Sequence, residues 1–160
     1  MLWETKEQNF FLKANTMSWD YISGFFDADG SLTLTTNKAQ QFKTVQLSFH
    51  NNELSILEEI RQFIEIELGI KGSIATKKPE KEIHNVAYDL KYVYFSKVNK
   101  ILSQINSKHP KKRHRIKISF ELELLTPRNG KYSGELLMKK KVKENDFFAS
   151  AIPSSSTFQF

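Results

Sequence analysis

The run Ile22-Ser23-Gly24-Phe25-Phe26-Asp27-Ala28-Asp29-Gly30, followed at once by Ser31-Leu32-Thr33-Leu34-Thr35, decides how this chain folds. Its first part is apolar at helical spacing. Ser18 can cap a helix carrying Trp19, Tyr21, Ile22, Phe25 and Phe26, and Gly30 can end it. Its second part alternates polar and apolar strictly, which predicts a half-buried strand. The small pair Ser23-Gly24 in mid-helix lets a second backbone come close, so this helix is expected to pack on another helix. Asp29 stands where the helix C-terminus already carries partial negative charge, an unfavourable place for an acid unless a cation compensates it. If two copies of the helix meet, two such acids converge. A hard divalent cation bound by carboxylate and carbonyl oxygens, Mg²⁺ above all, resolves that repulsion.

Outward from this stretch the pattern repeats. Asn37 to Gln41 is a polar connection, and a second strand is expected from Phe42 to His50 with Val45, Leu47 and Phe49 on one face. Asn52 or Glu53 then opens a helix with Leu54, Leu57, Ile60, Ile64 and Leu68 at helical spacing, stopped by Gly69. A second cycle follows: a short strand Gly72 to Lys77, a charged turn Lys78 to His84, a longer strand Val86 to Phe95, then a helix with Val98, Ile101, Leu102 and Ile105. Another helix is expected from Pro110 or Lys111 to Leu125. Two hairpins joined by a helix predict an α+β fold, with one antiparallel four-stranded sheet and helices on one face. Residues 1–160 read as a single domain with a core at about 18–125. Residues 126–160 are an extension in which Glu135 to Lys143 forms a short basic helix.

The chain has 160 residues, 39% hydrophobic with 13 Phe, which suits one domain with a sizeable core. It has no cysteine, hence no disulfide framework and no thiolate metal site. No apolar run is long enough for a signal peptide or a membrane span, so a soluble intracellular protein is expected. Abundant Lys, Ile, Phe and Asn is compatible with an organelle, chloroplast or mitochondrion. The net charge of +6 and pI near 9.4 favour a polyanionic partner.

The acidic string has rivals. An EF-hand loop needs its glycine two positions later. A haloacid-dehalogenase-type phosphatase needs its Asp-x-Asp-Gly after a buried strand of a doubly wound sheet, with a later acidic pair. After Asp29 the only aspartates are Asp89 and Asp146, and hairpins replace the βαβ units. His50, His84, His109 and His114 lack the ligand spacing of a zinc site.

The motif instead resembles that of the LAGLIDADG homing endonuclease family. Gly24, Asp27, Ala28, Asp29 and Gly30 match identically, and Ile22, Ser23, Phe25 and Phe26 are conservative replacements. The resemblance implies an αββαββα core over roughly residues 18–125. One motif copy implies a homodimer, with Ile22, Ser23, Gly24 and Phe25 at the interface. It further implies that Asp29 and the carbonyl of Ala28 bind the metal, that Asp27 is structural, and that Glu53 helps hold the water network. Lys112, within Lys111 to Arg115, is implied to lie near the scissile phosphate. A basic residue found in some members one turn into the second helix has no counterpart, since Leu57 falls near there. The implied activity is metal-assisted hydrolysis of DNA phosphodiesters, giving a staggered double-strand break at a long, nearly palindromic site. Mg²⁺ is the implied cofactor, with Mn²⁺ substituting and Ca²⁺ supporting binding without efficient turnover. The alternative is a non-cleaving nucleic-acid-binding protein of the same fold, an intron maturase or a DNA-binding regulator; retention of Asp29 favours the enzyme.

With Leu32, Leu34, Val45, Leu47 and Phe49 on the helices, the opposite sheet face carries Ser31, Thr33, Thr35, Thr44, Gln46, Ser48 and His50. The second hairpin adds Ser73, Ala75, Lys77, Asp89 and Lys91. Short hydrogen-bonding side chains of this kind suit base edges in the major groove of double-stranded DNA. Lys38, Lys43, Lys78 and Lys81 are the expected phosphate contacts. Tyr88, Tyr92 and Tyr94 are expected on one, mainly buried, face of their strand.

Overall fold

The computed structural model describes residues 17–36, 43–77 and 85–149. The expected lead-in, the connections around Lys38 and around Lys78 and Lys81, and the Ser-rich end at 154–156 lie outside these residues. Among the described residues the order is α1 (Trp19–Asp29), β1 (Gly30–Thr36), β2 (Lys43–Asn51), α2 (Leu54–Leu68), β3 (Ser73–Lys77), β4 (Ala87–Val93), α3 (Phe95–Leu102), α4 (Pro110–Leu124) and α5 (Gly134–Phe148). The strands form one antiparallel sheet in the order β1-β2-β4-β3. The fold is therefore α+β, with the order αββαββα followed by two more helices, α4 and α5.

Local chemistry sets the ends of these elements. The Ser18 hydroxyl accepts from the Tyr21 N–H at 3.1 Å and caps α1. Gly30 follows it in an extended conformation, where a methyl group would lie 2.8 Å from the Cα and the carbonyl oxygen of Phe26, so the position needs glycine. Gly69 closes α2 at φ 69°, a left-handed turn that a side chain would strain. Alternation then sorts the sheet into two faces. Leu32, Val45, Leu47, Phe49, Leu90 and Tyr92 pack under the helices in a core with Ile22, Phe26, Leu57, Ile60, Ile64, Val98, Ile101, Ile118 and Leu122.

One tyrosine departs from the alternation. Tyr92 is buried, but Tyr94 is exposed: β4 ends at Val93, and the chain turns into α3 through Tyr94 at φ 80°. That conformation is strained for a non-glycine residue and throws the ring off the strand's face.

The extension is better anchored than its lysines suggest. Helix α5 runs well beyond Lys143, and its Phe147 is fully buried in the common core. The Arg115 guanidinium lies 5.2 Å over the Phe147 ring and donates to the Leu32 carbonyl at 3.0 Å, tying α4 to both α5 and β1. Lys140, the middle of three consecutive lysines, is buried and donates to the Lys43 carbonyl and the Tyr132 hydroxyl. Phe147→Ala should lower unfolding free energy by about 3–5 kcal/mol, the usual cost of a large core truncation, in a urea titration. A cost below about 1 kcal/mol, as for a surface position, would mean that α5 is a dispensable appendage.

Candidate active site and nucleic-acid interface

Helix α1 has two working faces. On the inner face Ser23 and Asp27, four residues apart, both hold the segment that leads into α4. The Ser23 hydroxyl donates to the Trp19 carbonyl at 2.7 Å and accepts from the Asn106 N–H at 2.9 Å. The Asp27 carboxylate accepts from the Ser107 hydroxyl and from the Lys108 N–H at 2.7 Å. Asp27 is thus fully engaged in joining α1 to this segment, the structural part expected of it. Pro110, pre-set for the first helical turn, then starts α4 and brings Lys112 back to the end of α1. Its ammonium donates to the carbonyls of Phe26 at 2.7 Å and Asp27 at 2.9 Å, and lies 5.2 Å over the Phe26 ring. These carbonyls carry the helix's partial negative charge, so the cation stabilises the helix end. Burial pulls the pKa of Lys112 below its ordinary value, although Asp27 and Asp29 oppose the shift.

The outer face ends on Asp29. Its carboxylate is exposed and makes no hydrogen bond or ion pair within the described residues. Ala28 is also exposed, and its carbonyl is one of the last four of the helix, which lack helical donors. A carboxylate and a backbone carbonyl are hard oxygen donors that suit Mg²⁺ or Ca²⁺, so the residues present fit such an ion. They are few. No cluster of three or more His, Cys, Asp or Glu able to hold a metal exists among the described residues.

The interface residues require correction. Ile22 is fully buried in the core and Ser23 is spent on the 106–108 segment, so neither is available to a partner. The free face is instead Tyr21, Gly24 and Ala28, flanked by the half-buried Phe25, which stacks on Tyr21 with ring centres 6.3 Å apart. A methyl group at Gly24 would meet nothing within 4 Å. The chain's own packing gives this glycine no reason to be there, although glycine costs a helix interior about 1 kcal/mol.

The sheet's open face carries the residues read as base contacts, with instructive exceptions. By register, Ser31, Thr33, Thr35, Thr44, Gln46, Ser48, His50, Ser73, Ala75, Lys77, Asp89 and Lys91 all lie on the side away from the helices. Lys43 does not: its ammonium turns to the helix side and sits 5.3 Å over the Phe148 ring. Its odd position relative to Thr44 requires this, since strand side chains alternate. Ser48 is covered, with Gln46 donating to its hydroxyl at 3.2 Å. Asp89 is only 2% exposed and is filled by neighbours: one oxygen pairs with His50 Nδ1, the other with Lys77 Nζ at 3.0 Å. It cannot also reach a base. Burial alone would raise its pKa, but the hydrogen bonds and charges of His50 and Lys77 outweigh that and hold the carboxyl below its ordinary range. The register pairs His50 with Asp89 directly, so strand alignment was the signal that marked them as partners. Glu53 makes no hydrogen bond or ion pair with Asp29 or Lys112. It is the exposed residue preceding α2, and its carboxylate has no hydrogen bond or ion pair among the described residues.

An acid-ended helix with an uncovered face, set under a twisted sheet whose other face is polar, defines a protein of the homing-endonuclease fold. The family model described as a LAGLIDADG-like domain matches residues 18–116, and the chain belongs to that family. Among solved structures, the homing endonuclease I-TnaI superposes with a TM-score of 0.63 at 17% identity, over 83% of this chain and 89% of that one. I-CvuI bound to its target with Ca²⁺ gives 0.59 at 16% identity, over 86% and 82%. The archaeal intron-encoded homing endonuclease I-Vdi141I, complexed with DNA, gives 0.57 at 20%, over 79% of each chain. No curated protein matches the sequence closely. Among the described residues no helix is long and apolar enough to cross a membrane.

Proposed function

We propose that this chain is a site-specific, divalent-metal-dependent DNA endonuclease that acts as a homodimer in intron homing, on a long and nearly palindromic duplex. Asp29 carries the reading: an unspent carboxylate at a helix C-terminus, beside an uncovered helix face whose glycine has no intrachain purpose. Two copies joined through Tyr21, Gly24, Phe25 and Ala28 bring two such carboxylates together and complete what one chain supplies only in part. Asp29 and the Ala28 carbonyl would hold Mg²⁺, with Mn²⁺ able to replace it and Ca²⁺ favouring binding over turnover. The ion supplies Lewis-acid stabilisation of the charge that develops on the phosphate and the leaving oxygen. Lys112 contributes a fixed cation beside the same helix end, and Asp27 keeps the segment before α4 in place. The polar sheet face enters the major groove, and the net charge of +6 favours the phosphate backbone. Solved relatives bound to DNA support the same use of the fold.

Selection from a fully randomised duplex library in Ca²⁺, followed by Mg²⁺, tests the reading. The expected outcome is one long, near-symmetric motif that is cut on both strands with staggered ends. Selection without cutting in any divalent metal would favour the non-cleaving binding protein. No enrichment of any motif would overturn the DNA reading altogether.

A further inference from the structure

Ser107 is a buried residue whose hydroxyl bears on where Lys112 stands. It donates to the Asp27 carboxylate and accepts from the His109 N–H at 3.3 Å. His109 is the residue before α4, and its side chain caps nothing, so the Ser107 hydroxyl carries the link from His109 to α1. Lys112 lies in the first turn of α4 and donates back to the carbonyls of Phe26 and Asp27. The contacts close a circuit. It runs from the Asp27 carboxylate through Ser107 and His109 into α4, and from Lys112 back to the Asp27 carbonyl. The Phe26 carbonyl also accepts from the Gly30 N–H. Lys112 makes no hydrogen bond to the next carbonyl, that of Ala28.

A lysine ammonium sits on a long, flexible stem, and fixing it costs side-chain entropy. Its place depends on where its Cα is held, so a shift of the first turn of α4 moves it directly. Its charge-assisted bonds to the two carbonyls weaken steeply as their geometry degrades. Resting on the endonuclease reading above, we propose that Ser107 is a positioning residue for cleavage. It acts through Lys112 to keep the Phe26 and Asp27 carbonyls occupied, which leaves Asp29 and the Ala28 carbonyl as the oxygens open to the ion. Ser107 makes no hydrogen bond to Asp29 or Ala28 itself. Its removal leaves Asp27 and Lys112 chemically intact, and the Ser23 bond to the Asn106 N–H still holds the segment on α1.

Acetylation of the full chain, followed residue by residue with mass spectrometry, reads the placement of Lys112 without metal, DNA or turnover. In Ser107→Ala, Lys112 should react several-fold faster than in the unmodified chain, while the exposed Lys111 and Lys117 react as before. On the selected duplex in Mg²⁺, the single-turnover cutting rate should fall roughly tenfold or more, within what a misplaced active-site group can cost. Affinity for that duplex in Ca²⁺ should not change. Ser107→Thr, which keeps the hydroxyl, should restore both readouts. In a Lys112→Met background, adding Ser107→Ala should slow cutting no further. An unmoved Lys112 reactivity, or a cutting rate that holds, overturns the proposal. So does a Ser107→Ala variant that loses binding and cutting together, the mark of a merely structural residue, or one that still slows cutting when Lys112 is gone. If Ser107→Ala fails to fold, Ser107→Cys, which keeps the size and weakens the hydrogen bonds, carries the same measurements. If the unmodified chain cuts its duplex and only the Ser107 outcomes fail, the inference falls and the endonuclease reading stands. If it cuts nothing, both fall.

Discussion

Gly24→Leu should convert a dimer of about twice 18.7 kDa into a folded monomer. Within the chain the added side chain meets open space, and replacing a mid-helix glycine with leucine gains up to about 1 kcal/mol of helix propensity. Thermal stability of the isolated chain should therefore hold or rise. In the dimer the same side chain enters a contact between two helix backbones, and symmetry places it there twice. At about 1–3 kcal/mol for each overpacked site, dimerisation should weaken roughly thirtyfold or more. Light scattering across a concentration series reads the mass, and calorimetry reads the fold. A variant that still sediments as a dimer would move the interface away from α1. An unmodified chain that is monomeric at micromolar concentration would remove the homodimer altogether. Ile22→Ala, by contrast, should cost stability and not assembly, because Ile22 is core.

Asp29→Asn should produce a protein that binds its site and does not cut it. The change is nearly isosteric and touches no hydrogen bond among the described residues, so folding is expected to hold. Removing an anion from a helix C-terminus even favours the helix, by about 0.3–1 kcal/mol. The sheet is untouched, and affinity in Ca²⁺ should stay. Cleavage in Mg²⁺ should fall on the order of a hundredfold or more, because the charge developing at phosphorus and the leaving oxygen loses its stabilisation. Asp27→Asn is the informative contrast. It disturbs the bonds to Ser107 and Lys108, so it should lower stability by about 1–3 kcal/mol before it does anything specific to catalysis. If Asp27→Asn instead folds normally, binds and cannot cut, the two carboxylates must exchange roles.

How far the sequence could be read depended on whether a pattern had one solution or several. In β1 and β2 the strict alternation admits only one inward set, so Leu32, Val45, Leu47 and Phe49 were legible as core and the opposite face as polar. Helix α1 is different. Tyr21, Ile22, Phe25 and Phe26 form one continuous apolar stripe, and hydrophobicity alone cannot say which of them face the core. The Ser23–Asp27 pair at helical spacing was the better guide, because both residues satisfy backbone donors of one segment. Helix α5 inverts the usual pattern by burying Lys140 and Glu144 while exposing Met138 and Val142. Its burial depends on tertiary partners, Tyr132 and the Lys43 carbonyl, that no local period announces. Asp89 was legible as a residue of the open face but not as a buried one, because its burial comes from the two side chains that cover it.

If the Asp29 carboxylate of each subunit serves one strand, mixed dimers reveal it directly. A differently tagged Asp29→Asn chain co-expressed with the unmodified chain allows the heterodimer to be isolated and given the selected duplex with Mg²⁺. The predicted product is a single-strand nick, in the strand served by the intact subunit, with little double-strand break. Full cutting of both strands by the heterodimer, or by the doubly substituted homodimer, would contradict the assignment of Asp29.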